Sequence, residues 1–361
     1  MPSQQSRPQT IFSTIKDDIR NTHAFRTLKK ESNEIKDFYL TDKQREQLKN
    51  ISRGKRTFYI AGWVLKAMFF KLTPLRRLLF VIGVVMILTV RVNENGTAVG
   101  GNGLIGGALL VLVILLELKD KLLAHDELQE GRHIQELLMP ERTPNINGWS
   151  AWLYTRSANE VCGDLIDFLR MEDGRVGIAV ADVAGKGLHA ALLTTKLQAT
   201  IRALAFDKQS LPSLVQNVNT IFHRDSPSHI FASLLYAELT ENESTLRFVN
   251  AGHFPAMVVR SGIVEETGKG DAALGLMRTA VFAEHSVLLN GGDLFVIYSD
   301  GLTEAKSEAG NFFGKERFVK LLQSAKGTPQ QVGELILREV DWFIGMNDPS
   351  DDLSIIILQK N

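Results

Sequence analysis

The apolar positions of this chain change their period twice. Through the first 55 residues no long apolar run occurs, and the polar pattern predicts an extension with short helices around 10 to 50 and no cleaved signal peptide. From Phe58 to Phe70 an aromatic stretch interrupted by Lys66 suits either an interfacial helix or part of a buried one. Leu78 to Val90 and Gly103 to Leu116 are uncharged apolar runs. They flank the turn-rich piece Asn93 to Asn102 with its Asn95-Gly96 pair, and together they predict a helical hairpin. Lys119 to Met139 is helix-forming, with Gly131 as its one weak point, and Pro140 ends it. Leu118, Leu122, Leu128, Ile134 and Leu138 give this connecting helix an imperfect apolar stripe. The stripe suits a parallel dimer coil or packing on the helix's own domain.

From Trp149 onward the period shortens to two. Strands are predicted at 149–155, 165–171, 176–182, 232–240, 245–250, 255–260, 281–289, 293–299 and 353–359, with hairpin turns at Glu172-Asp-Gly-Arg175 and Ser261-Gly262. Helices are predicted over about 188–206, 211–224, 314–325 and 329–345. Many antiparallel strands with grouped helices define an α+β layered sandwich rather than a parallel doubly wound sheet. The chain thus divides into an N-terminal extension (1–74), a helical hairpin (75–117), a linker helix (118–144) and a catalytic-sized domain (145–361).

Charge refines this picture. The 361 residues hold 41 basic and 41 acidic side chains, so no net field points to nucleic acid as a partner. Residues 1 to 144 carry 22 Lys+Arg and 15 Asp+Glu, leaving 19 and 26 behind them; the acidic back half suits cations. Residues 43 to 77 carry ten Lys/Arg against one acid, whereas the loop between the apolar runs has Arg91 as its only basic residue. That is the positive-inside pattern. It predicts a transmembrane hairpin with both ends in the cytoplasm, its short runs extended by Gly100 to Leu116 and by snorkelling Arg76, Arg77 and Arg91. Two buried helices of a soluble sensor domain are the alternative. A single cysteine, Cys162, excludes an internal disulfide and a cysteine-rich zinc site.

Four aspartates sit where strands meet turns: Asp164 in Cys-Gly-Asp, Asp182 in Ala-Asp-Val-Ala-Gly-Lys-Gly, Asp300 in Tyr-Ser-Asp-Gly, and Asp351 in Ser-Asp-Asp-Leu-Ser. Singly, each reads as a turn residue. Together, carboxylates without His or Cys neighbours suit two hard cations such as Mg²⁺ or Mn²⁺.

These motifs resemble a known family. Gly131-Arg-His-Ile-Gln-Glu-Leu-Leu-Met-Pro140, Ser157 to Asp164, Ala181 to Gly187 with Ala190-Ala191, Asn250-Ala-Gly-His253, Tyr298 to Gly301 with Thr303-Glu304-Ala305, Phe313-Gly314 and Asp351 to Ser354 are similar, in this order, to the metal-dependent protein phosphatase (PPM) family, in its bacterial sporulation and stress-response (SpoIIE/RsbU-like) branch. The resemblance covers about residues 130 to 360. It implies two antiparallel sheets sandwiched between helix pairs (αββα), with two Mn²⁺ or Mg²⁺ ions at one end. By motif, Asp182 is implied to bridge both ions with the Val183 carbonyl as a further ligand, Asp164 to serve one ion, and Asp300 and Asp351 the other. Asp352 is expected to face outward. The implied reaction is phosphoserine/phosphothreonine hydrolysis by a metal-activated water. The implied substrate is a phosphorylated anti-anti-sigma (STAS-type) regulator.

Several positions depart from that family's usual pattern. Cys162 replaces a glycine and Ser299 a threonine; position 184 is Ala where eukaryotic members have histidine, and no arginine takes the phosphate-binding role. His253 reads as ordering a turn between strands rather than as a proton carrier, Gly185-Lys-Gly187 as a turn rather than a nucleotide loop, and Lys186 as a solvated lysine. Ile134, Leu137 and Leu138 are expected to pack on the catalytic domain. Two other functions compete: a catalytically silent membrane scaffold, and a two-metal nuclease that the acidic domain disfavours.

Overall fold

The computed structural model describes residues 40, 42–49, 52–89, 91–92, 98–99, 102–207 and 210–361. Of the short helices expected around 10 to 50, only α1 (Asp42–Lys49) falls within them. Most of the turn from Asn93 to Asn102, with its Asn95-Gly96 pair, lies outside the described residues. Two compact units divide the chain, Met1–Leu123 and Ala124–Asn361.

In the first unit the aromatic stretch belongs to α2 (Arg53–Lys71). It is followed by α3 (Pro74–Leu88), with proline in its first turn where no N–H is needed, and by α4 (Asn102–Leu138). Between them β1 (Arg91–Val92) and β2 (Ala98–Val99) pair antiparallel. The two helices touch backbone to backbone. A Cβ on Gly106 would stand 2.7 Å from the Gly83 carbonyl oxygen, so glycine is required there, and one on Gly83 would approach that of Gly106 tightly, at 3.0 Å. Arg76 donates to Glu117 at 2.8 Å and to Asp120 at 2.6 Å, tying the start of α3 to a later turn of α4. The segment expected as a connecting helix is the later part of α4, continuous with the second apolar run. Among the described residues α4 alone is long and apolar enough to cross a membrane, by length and composition. With 15 residues, α3 falls short of the roughly 20 that a straight span needs.

The second unit is the expected four-layer sandwich. One sheet orders its strands as β10 (Glu284–Leu288), β7 (Thr245–Ala251), β6 (Ala232–Thr240), β5 (Arg175–Val183) and β4 (Asp164–Arg170). The other runs β3 (Trp149–Arg156), β12 (Leu353–Lys360), β11 (Leu294–Tyr298), β8 (Met257–Arg260) and β9 (Ile263–Glu266). Every pairing is antiparallel. Strand periodicity explains the layering. Along β5, Val176, Ile178 and Val180 enter the core between the sheets, while Ala179, Ala181 and Val183 face α5 (Leu188–Ala205) and α6 (Leu211–Asp225). Along β12, Ile356 and Leu358 enter the same central core. Leu353, Ile355 and Ile357 face α8 (Lys315–Ser324) and α9 (Pro329–Ile344). Each fully buried Val or Ile removes enough apolar surface from water to contribute about 1.5–3 kcal/mol, so both sheet faces must be covered.

The helices start where the local sequence supplies partners for their free N–H groups. Ser210 accepts from the Ser213 amide at the start of α6, and Thr328 and Gln331 form a reciprocal capping box on α9. Two small elements of the second unit escape the sequence reading, β9 and the single turn α7 (Asp300–Thr303), as do β1 and β2 in the first.

Candidate metal centre

All four aspartates come to one end of the sandwich. Asp164, the first residue of β4, is register partner to Asp182 near the end of β5, so two carboxylates face across one ladder position. Asp300 opens α7 directly after β11, and Asp351 precedes β12, the strand paired with β11. Glycine makes the second half possible: a Cβ on Gly301 would lie 2.0 Å from the Asp352 carbonyl oxygen. Ser299 fastens the same junction, accepting from the Ser354 amide at 2.9 Å and donating to the Asp352 carbonyl at 3.2 Å.

Electrostatics shows that these carboxylates share one space. Burial raises the Asp182 pKa to about 7, and the charges of Asp300, Asp351 and Asp352 add to the effect. Burial, then Asp351 and Glu304, raises Asp300. Asp164 is pushed well above the usual carboxylate range by burial and then by Asp182. Its Oδ2 is buried without a hydrogen-bond partner among the described residues. An unpaired buried carboxylate oxygen is costly, on the order of several kcal/mol if charged. Among the described residues no three His, Cys, Asp or Glu side chains form a closed metal cage. The donor set nevertheless fits hard divalent cations, because it is all oxygen, mutually repelling and contains an orphaned buried oxygen.

Asp352 corrects the reading of the sequence. It is not the outward neighbour. It is 7% exposed and accepts from the Ala158 amide at 2.7 Å, the Gly163 amide at 2.6 Å and Ser157 Oγ at 3.2 Å, so it fastens the β3–β4 loop across to the second sheet. Asp351 is the more exposed of the two, and Lys186 Nζ lies 2.8 Å from its Oδ2. Lys186 is therefore ion-paired, not merely solvated. The alternation of β12 carries the missed signal: positions 354, 356 and 358 face inward, and extending the period of two by one step puts 352 inward as well.

His253 is a buried residue of the turn, as expected. Its amide donates to Asn250 Oδ1 at 2.8 Å, its Nδ1 lies 2.9 Å from Ser233 Oγ, and burial lowers its pKa to about 4. Cys162 is buried, and burial followed by the charges of Asp352 and Asp164 raises its thiol pKa, so it is no nucleophile. Gln135 was missed as a positioning residue. Its side-chain amide donates to the Cys162 carbonyl at 3.1 Å and accepts from the Cys162 amide at 3.0 Å.

Two antiparallel five-stranded sheets between helix pairs, with aspartates gathered at one end, define a PP2C-type phosphatase domain. A model of the stage II sporulation protein E (SpoIIE) family matches residues 172–361, and the chain belongs to that family. It is similar to protein IcfG of Synechocystis sp., at 24% identity over 263 residues covering 65% of this chain and 42% of that protein. It is also similar to the phosphoserine phosphatase RsbU of Bacillus subtilis, at 23% identity covering 65% of this chain and 70% of RsbU. The chain therefore spans less than half of IcfG. Among solved structures, the SiaA-PP2C domain of Pseudomonas aeruginosa superposes with a TM-score of 0.58 at 21% identity, covering 67% of this chain and 98% of that domain.

Proposed function

We propose that this chain is a divalent-metal-dependent phosphoserine/phosphothreonine protein phosphatase held at a bacterial cytoplasmic membrane by the α3–α4 hairpin. The gathering of Asp164, Asp182, Asp300 and Asp351, with Asp182 raised to about 7, carries the reading. Asp182 would hold both cations, Asp164 and the Val183 carbonyl one of them, and Asp300 and Asp351 the other. Such cations supply Lewis acidity toward phosphoryl oxygens and an acidified water. The chain's own contribution is placement. The Asp164–Asp182 ladder pair fixes two donors on one sheet, and the Ser299–Ser354 junction fixes two on the other. Asp352 locks the loop that carries Gly163 and Asp164 against both.

The substrate class follows from the relatives. RsbU and RsbP of Bacillus subtilis are phosphoserine phosphatases, so a phosphorylated protein, and within that class a STAS-type regulator of a partner switch, is the proposed substrate. Membrane attachment is supported by the apolar outer surfaces of α3 and α4, where Leu78, Leu88, Leu104 and Ile114 are exposed, and by the basic excess before α3. The deciding experiment incubates the purified full-length protein with phosphorylated STAS proteins, with and without Mn²⁺, and measures phosphate release. Release that requires Mn²⁺ is the expected result; no release from any phosphoprotein would leave a silent scaffold.

A further inference from the structure

A second concave site lies beside the metal centre without sharing its aspartates. A cavity of about 430 Å³ opens between the last turns of α4 and strand β3, within the second unit. Met139, Pro140, Leu153 and Ile166 give it an apolar floor. Arg132, Arg142 and Arg156 line it together with one acidic residue, Glu136. That carboxylate already pairs with Arg132 at 2.9 Å. Among the described residues no carboxylate pairs with Arg142, whose guanidinium is held 5.3 Å over the Tyr154 ring. Arg156 uses one terminal nitrogen on Asp341 at 2.7 Å, while its Nε is buried without a partner. With Arg132 paired to Glu136 and Arg156 to Asp341, Arg142 is left as the guanidinium without a carboxylate beside the apolar residues, and a charge-assisted bond to an anion would partner it.

We propose that this cavity binds a compact amphipathic anion, with a carboxylate or phosphate headgroup on the arginines and a small apolar body on the floor. The volume falls in the range of small-molecule sites. Asp164, Asp182, Asp300 and Asp351 do not line it, so it is no subsite for the phosphate of the substrate. Its occupant would touch Ser157 and Cys162, the two ends of the loop that Asp352 and Gln135 hold, and so would bridge α4 to that loop.

The test is equilibrium dialysis of the full-length protein in neutral detergent against naphthalene-1,5-disulfonate, a dianion that neither carries phosphate nor partitions into such micelles. Saturable binding at one site per chain is expected. Arg142→Ala should weaken it at least tenfold, Arg142→Lys less, and Met139→Trp should abolish it by filling the floor, while Arg260→Ala on a distant surface should leave it unchanged. Melting temperatures of the variants separate lost binding from lost folding. Displacement by benzoate or by inorganic phosphate then distinguishes a carboxylate from a phosphate headgroup. No saturable binding, or equal binding by Arg142→Ala and Met139→Trp variants that melt like the parent, overturns the proposal. Phosphate release plays no part in this readout, so the site stands or falls separately from the phosphatase reading.

Discussion

Lys186 Nζ stands 2.8 Å from Asp351 Oδ2 and 3.2 Å from the Ser350 carbonyl oxygen, so a lysine from the loop after β5 occupies the carboxylate matched to a metal ligand. The pair is well exposed, and such pairs contribute at most about 1 kcal/mol. A divalent cation reaching Asp351 must displace this lysine and meets its charge on the way. Lys186→Gln should therefore tighten Mn²⁺ binding by about two- to fivefold at low salt, less at high salt, as measured by calorimetric titration. Weaker binding in the variant would mean that Lys186 orders the site instead of competing for it.

Asp182 lies where four negative charges crowd, and its neutralisation should act oppositely on activity and on stability. Asp182→Asn should reduce p-nitrophenyl phosphate hydrolysis at least 100-fold, because one lost donor weakens both cation positions. Without divalent cations the same variant should melt at or above the parent's temperature, since it relieves repulsion with Asp300 and Asp351. An inactive variant that also melts several degrees lower would show only damage to the fold.

The nine strands and four helices of the catalytic domain were legible because both faces of each sheet are covered. Runs such as Leu294–Tyr298 and Leu353–Leu358 then stand out as apolar blocks between turns. β9 was not, since its four residues, Ile-Val-Glu-Glu, are mostly exposed, lack an alternating pattern and depend on β8 alone for pairing. The four aspartates were legible from turn motifs. The inward turn of Asp352 was not read, because its partners Ala158 and Gly163 lie nearly 200 residues away. The face of α4 was misread for a related reason. Ile134 and Leu137 are exposed while Leu138 is half-buried beside Leu165 and Ile166, and Gln135 with the Leu138 carbonyl makes polar contacts that hydrophobic periodicity cannot report.

His253 sets an acid limit on stability. Burial lowers its pKa from 6.5 to about 4, so the unfolded chain binds the extra proton more readily than the folded one. Stability from this residue is fully present above about 6.5 and is lost as pH falls toward 4. At roughly 1.4 kcal/mol per unit the loss is about 3 kcal/mol. His253→Asn should flatten the dependence of melting temperature on pH between 6.5 and 4 while leaving turnover at neutral pH within a few-fold, after allowing for lower stability. A variant with unchanged melting but lost turnover would give the histidine a chemical role.

The end of α4 makes a last prediction possible, because its contacts separate attachment from exposure. Gln135 satisfies both backbone groups of Cys162, two residues before Asp164, and Gln198 and Arg202 donate to the Leu138 carbonyl at 3.2 and 3.3 Å. Gln135→Ala leaves a buried N–H and C=O without partners and should cost about 1–3 kcal/mol, with a loss of activity beyond that expected from unfolding. Ile134→Ser with Leu137→Ser removes side chains that are 59% and 72% exposed, so the melting temperature of the catalytic domain should move by no more than a degree or two. If those two residues form a dimer seam, the double variant should lose crosslinking between chains at unchanged melting. Gly131 is no forced hinge: a Cβ there meets Val161 at an ordinary 3.8 Å. Gly131→Ala should thus stabilise the helix by up to about 1 kcal/mol. A melting temperature that falls in Gly131→Ala would show instead that the helix must bend at this glycine.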